Sequence, residues 1–109
     1  LLGASALGDI GSFFPPEDAK WKDADSALLL KTVLEKIYAQ GWKIENLDCV
    51  IKLEKPKFIP YRNKVIENIA SVLGVDNSQV FVKAKTGEKL PPVGTGEAVE
   101  AWCSCLLSK

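Results

Sequence analysis

The apolar residues of this chain change period at Gly41, and that switch limits the fold more than any other feature of the sequence. Before it, Leu28, Leu29, Thr32, Val33, Ile37 and Tyr38 recur at helical spacing, Asp23 or Asp25 stands where a cap belongs, and Gly41 follows as a terminator. After it, Leu47, Cys49, Ile51 and Leu53 alternate with Asp48 and Lys52, which predicts a strand over 44–53. Pro56 ends that strand. Pro60 opens a second helix whose buried stripe is Val65, Ile66, Ile69, Val72 and Leu73, and Gly74 closes it.

The ends of the chain are less regular. Residues 1–7 are small and apolar and read as the end of an element, and Gly8, Gly11 and Pro15-Pro16 mark 8–21 as a loop. Asp76-Asn77-Ser78 turns the chain into a short strand over 80–84, and Pro91-Pro92, Gly94 and Gly96 mark another loop. Residues 98–107 fit a strand through Val99, Ala101, Cys103, Cys105 and Leu107, and a helix through Val99, Trp102, Cys103 and Leu106; periodicity leaves both open. Helix, strand, helix, strand and strand predict an α+β sandwich with helices packed on one face of a small sheet. The length of 109 residues suits a single domain over 1–109.

Fourteen basic and fourteen acidic residues cancel, so no net field favours nucleic acid or an anionic membrane, and a bound anion needs a local cluster. No apolar run approaches the ~20 residues of a spanning helix, and residues 1–8 have no basic region of the signal-peptide kind. The odd cysteine count, Cys49, Cys103 and Cys105, reads as core packing in a reducing compartment rather than as a disulfide or metal framework.

Four segments carry polar chemistry. Gly8-Asp9-Ile10-Gly11 lets backbone amides face an anion while Asp9 accepts from hydroxyls, although a helix end and turn explain the same residues; Phe14-Pro15 follows, and a rigid surface turn explains it as well. Lys20-Trp21-Lys22 precedes Ala24-Asp25-Ser26. In Lys55-Pro56-Lys57 the proline stiffens a turn and frees backbone groups that can read a base, and Lys57 can meet a phosphate as a point charge; a solvated turn is the plainer reading. The last segment is Val82-Lys83-Ala84-Lys85-Thr86, leading into Glu88-Lys89-Leu90.

In this order and spacing the four segments resemble the 2-C-methyl-D-erythritol 2,4-cyclodiphosphate synthases of the non-mevalonate isoprenoid pathway. The resemblance implies a ferredoxin-like α/β sandwich, a strand at 98–107 and a phosphorus–oxygen lyase. In that reaction the 2-phosphate of a cytidine-diphosphate-linked methylerythritol attacks the β-phosphate, and CMP leaves. It further implies that Asp9, Ile10 and Gly11 contact the methylerythritol diphosphate, and that Phe14, Pro15, Pro16, Glu17 and Asp18 belong to a loop over the substrate, with Pro16 in place of a usual aspartate. Leu53, Glu54, Lys55, Pro56, Lys57, Phe58 and Ile59 match the cytosine pocket. Lys85, Thr86, Gly87 and Glu88 match the phosphate-facing run, in which the Thr86 hydroxyl steadies the transferring group and Glu88 holds a second divalent ion, magnesium or manganese.

The family also uses zinc, held by an Asp-x-His motif and by a third ligand on the helix in which a later His-Ser-Asp-Gly-Asp run ends. This chain has no histidine, so it reads as the family's C-terminal portion, and residues 1–4 as the tail of a preceding helix. Lys85 replaces a common threonine in the manner of the plant and algal branch, while Pro92 and Thr95 replace a phenylalanine and an arginine of the trimer axis. The resemblance implies a homotrimer without nucleic-acid or membrane partners, soluble and intracellular, in a plastid stroma or a cytoplasm. The alternative is an inactive member that only binds cytidine nucleotide or trimerises. A ferredoxin-like regulatory domain would explain the element order but not the four segments.

Overall fold

The computed structural model describes all 109 residues. Its elements are α1 (Ile10–Phe13), α2 (Ser26–Ala39), β1 (Lys43–Lys52), α3 (Arg62–Leu73), β2 (Val80–Lys85) and β3 (Glu100–Ser108), with single 3-10 turns at Ala19–Trp21, Ile59–Tyr61 and Asn77–Gln79. The strands form one mixed sheet in the order β2-β1-β3. β1 and β2 are parallel, paired from Leu47↔Val80 to Lys52↔Lys85. Side-chain contacts between Glu45 and Ser108 and between Cys49 and Cys103 step in opposite directions along β1 and β3, as antiparallel neighbours do. No helix is long and apolar enough to cross a membrane.

By internal contacts the chain divides into two compact units, Leu1–Glu45 with Cys105–Lys109, and Asn46–Ser104. In the first, Leu2, Phe14, Val33 and Ile37 form a buried cluster against which Leu7, Trp21, Leu29, Trp42 and Leu107 pack. Residues 1–7 close as a helix end does: Ala6 N–H donates to Gly3 O and Leu7 N–H to Leu2 O, with Ala6 at φ 58°. The same pair of bonds ends α2, where Gly41 (φ 85°) donates to Tyr38 O and Trp42 to Ile37 O. Asp25 caps the start of α2 by accepting from Ala27 N–H at 2.9 Å.

Two expectations about this unit change. The buried face of α2 is Val33, Leu34 and Ile37, while Leu28 and Tyr38 are exposed. Leucines at 28, 29 and 30 line most of the circumference of the helix, so spacing alone leaves its phase unfixed. The predicted loop over 8–21 contains α1 and the turn at Ala19–Trp21, each started by an aspartate, because Asp9 accepts from Ser12 N–H and Asp18 from Lys20 N–H.

In the second unit Leu47, Phe58, Ile66, Ala70, Leu73, Val80, Val82 and Val93 are buried. Val80 and Val82 alternate with exposed Phe81 and Lys83, and α3 packs on β2. Arg62, the first residue of α3, fixes that packing: its Nε donates to Val82 O at 3.0 Å, and its guanidinium lies 5.3 Å from the Phe81 ring centroid. Gly74 (φ 71°) ends the helix in the left-handed conformation that glycine adopts without strain. Of the predicted stripe, Ile66 and Leu73 are buried; Val65, Ile69 and Val72 are half-buried, and Ala70 completes the face.

The cysteines are not core residues. Cys103 is exposed and Cys49 and Cys105 are half-buried. β3 is an edge strand, and its residues from Ala101 to Ser104 are all exposed, so alternation does not translate into burial there. Nor does β1 bury one face throughout: Leu47 is buried, but Cys49, Val50, Ile51 and Lys52 are all half-buried.

Candidate functional site

The second unit carries a cleft of about 460 Å³ lined by Leu53, Glu54, Pro56, Lys57, Phe58, Ile59, Pro60, Ala84, Lys85 and Thr86. Two stretches about 25 residues apart in sequence form it, joined where Leu53 N–H donates to Lys85 O at 2.9 Å, one step beyond the last paired residues of β1 and β2. The walls are mainly apolar. The Lys55-Pro56 peptide is cis, Phe58 is buried as the anchor of the turn, and Ile59 is open to solvent.

Glu54 Oε1 is buried at this cleft without a hydrogen-bond partner. A desolvated acceptor left unpaired costs roughly 1–3 kcal/mol, which a donor on a bound molecule would offset. Of the expected pocket residues, only Lys55 does not line the cleft.

Beyond Thr86 the chain folds back on itself. Glu88 N–H donates to Thr86 Oγ1 at 3.3 Å, and Lys85 Nζ lies 3.4 Å from Glu88 Oε1. Gly87 and Glu88 do not line the cleft. Gly87 is buried against the backbone of Val93 and Gly94, and Val93 anchors the loop. Thr95 Oγ1 donates within this loop, to Glu97 Oε1 at 2.7 Å or Pro92 O at 3.2 Å.

The first unit has a cavity of its own, about 640 Å³, lined by Ile10, Phe14, Pro16, Glu17, Asp18, Ala19, Trp21, Lys22 and Leu29. Phe14 meets Trp21 edge-on at 4.8 Å, and Lys20 Nζ sits 4.7 Å from the Trp21 ring centroid. Asp9, Gly11 and Pro15 lie outside the lining. Hydrogen bonds from the Ser12 backbone and side chain, assisted by Gly11 N–H, hold the exposed Asp9 carboxyl below its ordinary value.

Sequence reasoning did not place Ala19, Trp21, Lys22, Leu29, Pro60 or Ala84 at either cavity. Trp21, Lys22 and Ala84 had a signal, since they stand in the Lys20-Trp21-Lys22 and Val82-Lys83-Ala84-Lys85-Thr86 segments. For metal binding the residues present supply little: there is no histidine, and no three cysteine, aspartate or glutamate side chains are gathered to hold an ion. They do not fit zinc. Glu88 offers a single exposed carboxylate, which suits a magnesium-type ion whose remaining ligands are water and phosphate.

The model of the YgbB family matches residues 1–108. A 2-C-methyl-D-erythritol 2,4-cyclodiphosphate synthase of Treponema denticola is 54% identical over 107 residues, covering 98% of this chain and 66% of that protein. The enzyme of the same name from Prochlorococcus marinus (strain MIT 9215) is 47% identical over 109 residues, covering all of this chain and 66% of its own length. Thus the chain spans just under two thirds of these relatives.

Among solved structures, the bifunctional IspDF of Campylobacter jejuni superposes with a TM-score of 0.92 at 37% identity, over 97% of this chain and 29% of its own. A CDP complex of Plasmodium falciparum IspF superposes with a TM-score of 0.84 at 37% identity, over 97% and 63%.

Proposed function

Because the chain belongs to the YgbB family, we propose that it is the nucleotide-binding portion of a cyclodiphosphate synthase domain. The reaction converts 4-diphosphocytidyl-2-C-methyl-D-erythritol 2-phosphate to 2-C-methyl-D-erythritol 2,4-cyclodiphosphate and CMP. The observation that carries this reading is the cleft between residues 53–60 and 84–86. It offers apolar walls for a flat base, the backbone of a proline-stiffened turn for reading its edge, and the unpaired Glu54 oxygen as an acceptor for an amino group. The Plasmodium relative's complex with CDP supports the choice of a cytidine nucleotide.

Within that reading the roles follow from position. The cleft holds the cytidine. Lys57 and Lys85, both at its lining, meet the diphosphate as point charges. Thr86 Oγ1, also at the lining, donates to the phosphate oxygens as charge shifts in the in-line transfer. Glu88, whose carboxylate contacts Lys85, would hold a magnesium or manganese ion, which would supply neutralising charge for the phosphates. The first unit's own cavity, which Phe14, Pro16, Glu17 and Asp18 help to line, is a second surface at which substrate groups bind. The protein acts as a homotrimer, a reading supported by Val99, Trp102 and Leu106, which are large, apolar and exposed on or beside edge strand β3.

Titration calorimetry of the folded chain with CDP, and separately with ADP, tests the base assignment. CDP is expected to bind at least ~10-fold more tightly, a preference of about 1.4 kcal/mol. Equal affinity for the two nucleotides, or binding of neither, overturns the cytidine pocket.

A further inference from the structure

We propose that Cys49 and Cys103 form a thiol-modification site, closing to a reversible intrachain disulfide when the protein meets a peroxide. The inference does not depend on the nucleotide reading. The two sulfurs stand 3.5 Å apart on neighbouring strands β1 and β3. Residues facing each other across adjacent antiparallel strands have Cα atoms about 4.5–5.5 Å apart, inside the ~4.4–6.8 Å range that a disulfide spans. From the observed 3.5 Å the sulfurs have to close by about 1.5 Å to reach bonding distance.

The two thiols differ in access in the way a stepwise oxidation needs. Cys103 is exposed on the edge strand and meets the oxidant, while Cys49 is half-buried on the central strand and held against it. The Cys103 thiolate attacks one oxygen of hydrogen peroxide, the O–O bond breaks, and hydroxide leaves, giving the sulfenic acid. The Cys49 thiolate then attacks that sulfur and displaces the second hydroxide. With the two thiol protons the balance is two thiols and one peroxide to one disulfide and two waters.

Cys105 is the poorer partner for Cys103, because it lies two residues along the same strand, about 6.6 Å away, near the upper limit of what a disulfide spans. Strand alternation turns Trp102 and Leu106 to the opposite face from Cys103. The bond would span 54 positions and tie the first strand of the second unit to its last, enclosing α3, β2 and the cleft.

The test treats the folded protein with a small excess of hydrogen peroxide, blocks remaining thiols with an alkylating reagent, and maps the linked peptides by mass spectrometry. A loss of about 2 Da with one thiol left to alkylate, reversed by dithiothreitol, is the expected result. Fragmentation should place the bond between residues 49 and 103. Cys105→Ser should still close, whereas Cys49→Ser and Cys103→Ser should give no 49–103 bond. Three alkylated thiols after oxidation, a bond through Cys105, or a chain-to-chain dimer on a non-reducing gel overturns the proposal.

Discussion

Replacing Gly87 by alanine sets two opposing effects against each other at the residue between Thr86 and Glu88. Where glycine occupies a backbone conformation open to other residues, alanine stabilises a protein by about 0.4–1 kcal/mol through the unfolded chain. Gly87 has no positive φ, so that gain applies. Space opposes it: a Cβ built on Gly87 lies 2.6 Å from Gly94 Cα and 2.9 Å from Val93 C, with Gly94 N nearer still. Ordinary contact begins near 3.4 Å, so Gly94 has to retreat by more than about 0.8 Å.

The obstructing atoms are backbone, and they are pinned from both sides. Gly94 N–H donates to Leu90 O at 2.6 Å, and Val93 is fully buried. Overpacking of this kind costs about 1–3 kcal/mol, and less the unfolded-state gain a net loss of roughly 1–2 kcal/mol remains. Gly3 is the control, because its added Cβ meets nothing within 4 Å and its φ is not positive. Urea unfolding should show Gly87→Ala destabilised and Gly3→Ala neutral or slightly stabilised. CDP affinity should fall in Gly87→Ala alone. Equal stability of the two variants would refute the claim that the 86–96 loop is sterically locked.

Thr86→Ala, in this chain joined to the family's histidine-bearing segment, should lower turnover by roughly one to three orders of magnitude, the loss on removing one transition-state donor. Glu88→Gln in the same protein should weaken its dependence on magnesium or manganese, with phosphorus NMR of the products as the readout for both. Asp76 accepts from Ser78, which lowers its carboxyl from the ordinary 3.8, so it stabilises the fold above that value and the contribution fades as pH falls through the lowered one. Asp76→Asn keeps a cap but removes the charge, and urea midpoints compared at pH 5 and pH 3 should show a shallower acid loss in the variant.

Local chemistry made much of the fold legible. Gly41 and Gly74 end their helices as expected, Asp25 caps α2, and Asp76-Asn77-Ser78 opens the turn into β2. The strand at the C-terminal end, which periodicity left open, is β3, as the family resemblance implied. What stayed hidden depended on tertiary contact. Leu34 is buried and Leu28 exposed because packing, not spacing, sets the rotation of a helix with leucine on several sides. Cys103 looks like a core residue by type and is exposed because β3 has no further strand beside it. Most of the expected residues of the base pocket line one cleft, yet the unpaired Glu54 oxygen there follows from no property of the sequence.

The position of that cleft follows from register. β1 and β2 run parallel and stay paired to Lys52↔Lys85, so both strands end at the same edge of the sheet. Whatever follows one strand must then stand beside whatever follows the other, and this is where open sheets of parallel strands bind their ligands. Leu53 N–H closing on Lys85 O extends the ladder by one bond and fixes the spacing of the two walls. A slip of one residue would carry Lys85 and Thr86 about 3.3 Å along the strand and turn Val80 and Val82 away from α3. Burial of those two valines thus holds the cleft in place: the register that satisfies the core is the one that brings Thr86 to the turn at Pro56.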